Sequence, residues 1–105
     1  MTALQTPAAD APAAEWGALA VRIPGWECRP DLIGWAVYPD PDHWAWEGWL
    51  LRLLFADDRP VSVTRMSPAA VTVWRHGLGS HTAPTLGRAC IAAAAALGKW
   101  PGGEG

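Results

Sequence analysis

The spacing of apolar and polar residues changes along the chain, and its most regular stretch predicts a β-hairpin over about 61–76. Apolar and polar residues alternate over 61–64 and again over 71–74, which is the period of a β-strand, and residues 67–70 between them predict a turn. The alternation divides the side chains between two faces of the hairpin. The expected inner face holds Val61, Val63, Val71 and Val73, and the outer face holds Ser62, Thr64, Thr72, Trp74 and His76.

Two other segments show the three- and four-residue apolar spacing of amphipathic helices. One spans about 42–55 with Asp42 as its predicted N-cap, and a strand is the competing interpretation of that segment. The other spans about 83–97, with Thr82 as its predicted N-cap and Gly98 directly after its end. Five consecutive alanines in this last helix predict that it packs close to a sheet.

A two-stranded hairpin is marginal in water, so a further element must complete the sheet. The short apolar run at 32–38 is the natural candidate for a third strand, and residues 77–80 are expected to be a flexible connection. A short helix is predicted over 15–23, where apolar residues recur at helical spacing before Pro24 and Gly25 stop it. The expected fold class is therefore α+β, a small antiparallel sheet packed with helices.

The length and composition predict one domain with a modest core. The chain has 105 residues, of which 50% are hydrophobic and 17% charged, and this balance excludes a wholly disordered protein. Residues 1–14 are mostly Ala, Pro and Thr and are expected to form a disordered tail, with a single domain over 15–100. The chain shows no secretory signal and no apolar run of bilayer length, so we expect a cytoplasmic protein with no membrane partner.

Charge and tryptophan content favour a protein partner over nucleic acid. The net charge of −2 argues against wholesale nucleic-acid binding, although residues 61–100 carry four basic residues and no acidic one. Eight tryptophans are unusual at this length, and Trp together with Arg is typical of protein-interface hot spots. A genomic preference for GC-rich codons is the alternative explanation of the same enrichment.

Residue types that can carry catalysis are present, but their spacing does not favour it. His76 and His81 lie five residues apart and Cys90 follows nine later, unlike the paired spacings of zinc sites. Cys90 falls on the apolar stripe of the last predicted helix, where a buried core residue is expected rather than a nucleophile. We therefore expect no enzymatic activity, no metal and no cofactor. A metal- or thiol-dependent hydrolase that uses these three residues is the alternative hypothesis.

The predicted interaction face lies on the outer side of the hairpin and on the loop after it. Its residues are Trp74, Arg75, His76 and His81. Arg75 points the opposite way on an ideal strand, so it is expected to contribute only where twist brings it to the rim of the face. The prediction fails if a second layer of helices covers Trp74.

Three short segments carry a resemblance: 19–26 (LAVRIPGW), 39–44 (PDPDHW) and 81–90 (HTAPTLGRAC). They resemble small proteins of unknown function encoded by tailed phages and prophages, notably the phage ABA sandwich domain group. The resemblance implies a phage or prophage origin and an α/β/α layered domain, and it brings no catalytic residues with it. The additional tryptophans and the run at 32–38 depart from that pattern.

These observations lead to a functional hypothesis of a non-enzymatic protein that binds a host protein in the cytoplasm of the host bacterium. An inhibitor of a CRISPR-type or other anti-phage defence complex is one concrete version. The hydrolase stays as the alternative. A self-associating structural component, which would form a defined oligomer such as a homodimer, is a third hypothesis.

Overall fold

The computed structural model describes residues 4–26 and 38–101, and these residues form the α+β fold that the sequence predicts. Three helices and a three-stranded antiparallel sheet are present in this part of the chain. In chain order the elements are α1 (Ala13–Arg22), α2 (Trp44–Leu54), β1 (Val61–Ser67), β2 (Ala70–Arg75), β3 (Gly79–Ala83) and α3 (Leu86–Leu97).

The predicted hairpin is confirmed, whereas the third strand comes from a different part of the chain. In the register of β1 and β2, Val63 lies opposite Val73, and a bulge follows at the end next to the turn. The third strand is β3, in the segment expected to be flexible or helical, and it pairs with β2. Gly77 and Gly79 adopt positive φ angles of 84° and 95°, which reverse the chain so that β3 can form. The predicted strand at 32–38 lies outside the described residues except for Tyr38.

The helices confirm the predicted periodicities but begin at different residues. The segment with two interpretations, about 42–55, is the helix α2, and its N-cap is His43, whose Nδ1 accepts the Ala45 N–H at 3.2 Å. The helix α3 is capped by Thr85 instead of Thr82. Neither predicted cap is the N-cap in the structure, because α2 and α3 begin later in the chain than predicted and Thr82 lies within β3. Asp42 binds Arg88, and the Thr82 hydroxyl lies 2.7 Å from that of Thr72 across the sheet.

The alanine-rich helix α3 occupies the centre of the described structure. It packs against β2 and β3 and also against α1 and α2. Residues 87–95 of α3 are all buried. Small side chains allow this helix to lie close to the neighbouring backbones, as the alanine run predicts.

The inner face of the sheet is narrower than the four-valine pattern predicts. Val71 and Val73 on the central strand are buried, while Val61 is half-buried and Val63 is exposed. The reason is that α3 covers β2 and β3 and does not extend over β1. The edge strand therefore contributes little to the core.

Both ends of the described chain pack against the helices. In the described part of the segment expected to be a disordered tail, residues 4–14, α1 begins at Ala13 and Ala11 is buried. The carbonyl groups of Ala9 and Ala11 accept hydrogen bonds from Arg88, which holds this segment to α3. At the other end, the indole N–H of the buried Trp100 donates to the Ala20 carbonyl at 3.0 Å.

The order of layers differs from the α/β/α arrangement that the resemblance implies. The outer face of the sheet is largely open: five of its strand positions are exposed and Thr72 is half-buried. The exposed positions are Ser62, Thr64, Trp74, Ser80 and Thr82. Among the described residues the helices therefore lie on one side of the sheet.

Candidate functional site

The structure divides the four predicted interaction residues between the two faces of the sheet. Trp74 and His76 belong to the outer face, and their rings meet edge to face with centroids 6.3 Å apart. Arg75 is buried on the inner side, in line with Val71 and Val73. His81 lies opposite Val73 in β3, so its side chain also faces inward. The structure therefore does not bring the four residues together on one surface, and their role in partner binding stays a prediction. Arg75 points inward as an ideal strand requires, and His81 does so because residues 79–83 form a strand that the sequence did not predict.

The outer face surrounds Trp74 with small hydroxyl side chains. Ser62 and Ser80 are its direct neighbours on the two flanking strands. Next along the face, Thr72 and Thr82 are joined through their hydroxyl groups. Trp74 is 37% exposed, so a large part of its ring is available to a partner. We call this set, with Thr64 and His76, the Trp74 face.

Most of the described tryptophans serve the core. Trp46 and Trp100 are fully buried, Trp16 and Trp49 nearly so, and the half-buried Trp26 lies with its ring centroid 5.9 Å from both Trp46 and Trp100. Trp16 is thus part of the core. Trp44 is 79% exposed at the start of α2 and stacks on His43. Trp35 lies outside the described residues. Trp44 and Trp74 are therefore the described tryptophans that a partner can reach.

A second feature is a pocket of about 400 Å³ at the end of β2, next to the Trp74 face. Arg59, Arg75 and Lys99 line it together with His76, and Asp57 is the carboxylate among the described lining residues. Arg75 is 3% exposed and donates from Nη2 to Asp57. Its Nε–H is buried and has no hydrogen-bond partner among the described residues. We call this the Arg75 pocket.

Asp57 is held ionised at the mouth of the Arg75 pocket. Its partial desolvation raises its pKa, but the Arg59 backbone N–H and the Arg75 guanidinium lower it by more, so the net pKa lies below the usual value. The other oxygen of Asp57 accepts the Arg59 N–H at 3.1 Å. This carboxylate therefore fixes the loop before β1 and one end of Arg75.

A larger groove of about 650 Å³ runs between residues 4–9, β3 and α3. Trp16 and His81 line it, and the Nε1 of Trp16 and the Nε2 of His81 are buried without a hydrogen-bond partner among the described residues. Burial lowers the pKa of His81 and so favours the neutral form of its ring. The remaining lining is mostly Ala and other small side chains, which do not specify one class of ligand.

The geometry does not bring His76, His81 and Cys90 into one catalytic or metal site. Cys90 is fully buried in the core, and burial, with a smaller contribution from Glu47, raises the pKa of its thiol. His76 lies on the outer face of the sheet and His81 on the inner face. Within residues 4–26 and 38–101, no group of three His, Cys, Asp or Glu side chains could hold a metal ion. The alternative hydrolase hypothesis thus has no support from the arrangement of these residues.

Comparison with known proteins adds no family assignment. No family model matches the chain, and no curated protein and no solved structure matches it significantly. The resemblance to the phage ABA sandwich domain group therefore stays a prediction. In the part of the chain that the structure describes, no helix has both the length and the apolar character needed to cross a bilayer.

Proposed function

We propose that this chain is a binding protein that engages a host protein through the Trp74 face. The observation that carries the proposal is a tryptophan that is 37% exposed on the central strand of an open sheet face. A phage or prophage origin, a host protein as partner and inhibition of an anti-phage defence complex are parts of the same proposal, and they rest on the resemblance described above.

The chemistry around Trp74 supports association with another protein. The neighbouring strand positions on this face, from Ser62 to Thr82, carry uncharged hydroxyl groups. Such a surface costs less to desolvate than a charged one, because no charge has to be stripped of water. A rigid Trp ring among Ser and Thr residues is also a composition found in protein-binding surfaces.

The edge-to-face contact with His76 supports the same role for Trp74. Aromatic pairs of this geometry contribute about 0.5–1.5 kcal/mol beyond the area they bury. The contact restricts the indole before a partner arrives, so less side-chain entropy is lost on binding. Trp44 is more exposed, but it stands at a helix terminus rather than within a flat face, which makes it a suitable comparison.

The test compares Trp74→Ala with Trp44→Ala. A partner captured by the wild-type protein from bacterial lysate is identified, purified and titrated against the three proteins by calorimetry. We expect Trp74→Ala to weaken association by about 2 kcal/mol, which is roughly 30-fold in Kd, because central Trp residues dominate interfaces. We expect Trp44→Ala to leave Kd near the wild-type value.

Thermal unfolding of both variants is the control. Trp74→Ala is expected to unfold close to the wild-type temperature, because its ring does not belong to the core. A loss of about 3–5 kcal/mol in stability would instead identify Trp74 as a core residue and remove the proposal. Equal losses of affinity in Trp74→Ala and Trp44→Ala would also contradict the proposal. So would a wild-type protein that retains no partner from lysate and forms a defined oligomer in light scattering.

A further inference from the structure

We propose that the Arg75 pocket is an oxyanion site that takes a phosphate-type dianion. Arg59, Arg75 and Lys99 place three positive charges around about 400 Å³, against the single carboxylate of Asp57 among the described lining residues. His76 also lines the pocket, together with the uncharged residues Gly77, Leu97 and Pro101. Self-repulsion among the cations is relieved when an anion enters between them.

The unused donor of Arg75 is the strongest reason to expect a ligand. A guanidinium presents five N–H groups in a rigid fork that suits phosphate and carboxylate oxygens. Asp57 takes one terminal nitrogen, while the Nε–H is buried without a partner among the described residues. A buried donor left unsatisfied costs about 1–3 kcal/mol, and an oxyanion that reaches this N–H from the pocket would remove that penalty.

The loop before β1 and the turn after β2 bring Arg59 to the same place. The Arg59 N–H is tied to Asp57, and a Cβ added to Gly77 would lie 3.0 Å from a guanidinium nitrogen of Arg59. The left-handed φ of Gly77 and its missing side chain thus leave space for the Arg59 side chain beside Arg75. The cations of the pocket come from the loop before β1, from β2 and from the residues after α3.

Charge decides the class of anion. Asp57 offsets one of the three described cations, which leaves an excess of two positive charges in the lining. A dianion such as phosphate complements that excess, and it offers more acceptor oxygens than a carboxylate. The volume exceeds that of a free phosphate ion, so a phosphate ester also fits.

The test is calorimetric titration of the full chain with inorganic phosphate, with sodium chloride at the same ionic strength as reference. We expect saturable binding of phosphate and a rise in the unfolding temperature that chloride does not produce. Arg59→Gln and Lys99→Gln should each weaken phosphate binding about tenfold. Arg65→Gln removes an exposed cation of β1 that does not line the pocket, and it should bind phosphate like the wild type.

Three results would overturn the site. The first is that chloride raises the unfolding temperature as much as phosphate does. The second is that Arg65→Gln and Arg59→Gln weaken phosphate binding equally. The third is that acetate binds as tightly as phosphate. The three substituted residues lie on the surface, outside the core. The unfolding temperature of each variant, measured without phosphate, therefore shows whether a loss of binding comes from a loss of folding. Trp74→Ala should retain phosphate binding, which keeps this result independent of the Trp74 face.

Discussion

Two buried arginines, Arg88 on α3 and Arg75 on β2, differ in how completely their donors are used. Arg88 is 9% exposed and Arg75 is 3% exposed, so both have lost most of their contact with water. Arg88 donates to four acceptor oxygens, whereas Arg75 donates to Asp57 and its buried Nε–H has no partner among the described residues. The difference indicates that one arginine supports the fold and the other is available to a ligand.

The partners of Arg88 come from two separate parts of the chain. Its Nε and Nη2 donate to the two oxygens of Asp42 at 3.0 and 2.8 Å, and Nη1 donates to the carbonyl oxygens of Ala9 and Ala11. The pairing with Arg88 lowers the pKa of Asp42 despite the opposing effect of desolvation. Arg88 thereby joins α3 to the loop before α2 and to the N-terminal segment.

Removal of Arg88 is expected to give the largest effect. Arg88→Met leaves Asp42 and two carbonyl groups without their donor, and we expect a loss of about 3 kcal/mol in the free energy of unfolding. Arg75→Met removes one partially exposed ion pair together with an unsatisfied donor, so a loss of no more than about 1 kcal/mol is expected. Urea unfolding of both variants measures the difference. Equal losses would contradict the assignment of separate roles.

A smaller loss of stability is expected for Gly87→Ala, which lies where the backbone of α3 approaches the segment that carries Asp42. A Cβ on Gly87 would lie 1.9 Å from the Pro41 carbonyl oxygen, so Gly87→Ala must push the segment that carries Asp42 away from α3. We expect a loss of about 1–3 kcal/mol, typical of overpacking.

The matched variant for that test is Gly48→Ala in α2. A Cβ there meets nothing within 4 Å, and we expect a gain of up to about 1 kcal/mol from helix propensity. Thermal unfolding of the two variants checks both signs. Stabilisation by Gly87→Ala would show that the close approach of Pro41 does not matter.

The smallest expected effect is on acid stability. Asp42 and Asp57 both have pKa values lowered below the ordinary 3.8 in the folded protein. Their stabilisation is therefore complete above that value and is lost as the pH falls through the lower folded pKa. We expect Asp42→Asn to flatten the pH dependence of stability below pH 4 more than Asp57→Asn, because the Asp57 side chain is 41% exposed. Chemical unfolding at several acidic pH values measures the two slopes, and a larger change in Asp57→Asn would reverse the ranking.

The spacing of apolar residues was sufficient to predict the elements in which that spacing is most regular. The alternation around Val73 predicted the hairpin, and the apolar stripes predicted α2 and α3. The same alternation placed Trp74 on the face opposite the valines, where the structure has it. These features follow from the sequence because a strand or a helix fixes which neighbouring side chains share a face.

The strand β3 and its consequence for His81 could not be found in this way. Its five residues, Gly79–Ala83, have neither an apolar alternation nor a turn dipeptide before them that specifies a hairpin. The strand forms because two glycines adopt positive φ and because β2 offers a free edge. His81 consequently faces inward, although sequence reasoning placed it with Trp74.

The sequence by itself determined the fold class, the hairpin, the helical stripes and the outer position of Trp74, since each depends on residues a few positions apart. Only the tertiary structure decided which charges meet. Asp42 and Arg88 are 46 residues apart, and Asp57 and Arg75 are 18 apart. Their pairing depends on how the central helix and the sheet are placed relative to the preceding loops. The spacing of neighbouring residues does not predict that placement. The unsatisfied donor of Arg75 has the same origin: tertiary packing buries its side chain, and no acceptor from the described residues lies within hydrogen-bond distance of its Nε–H.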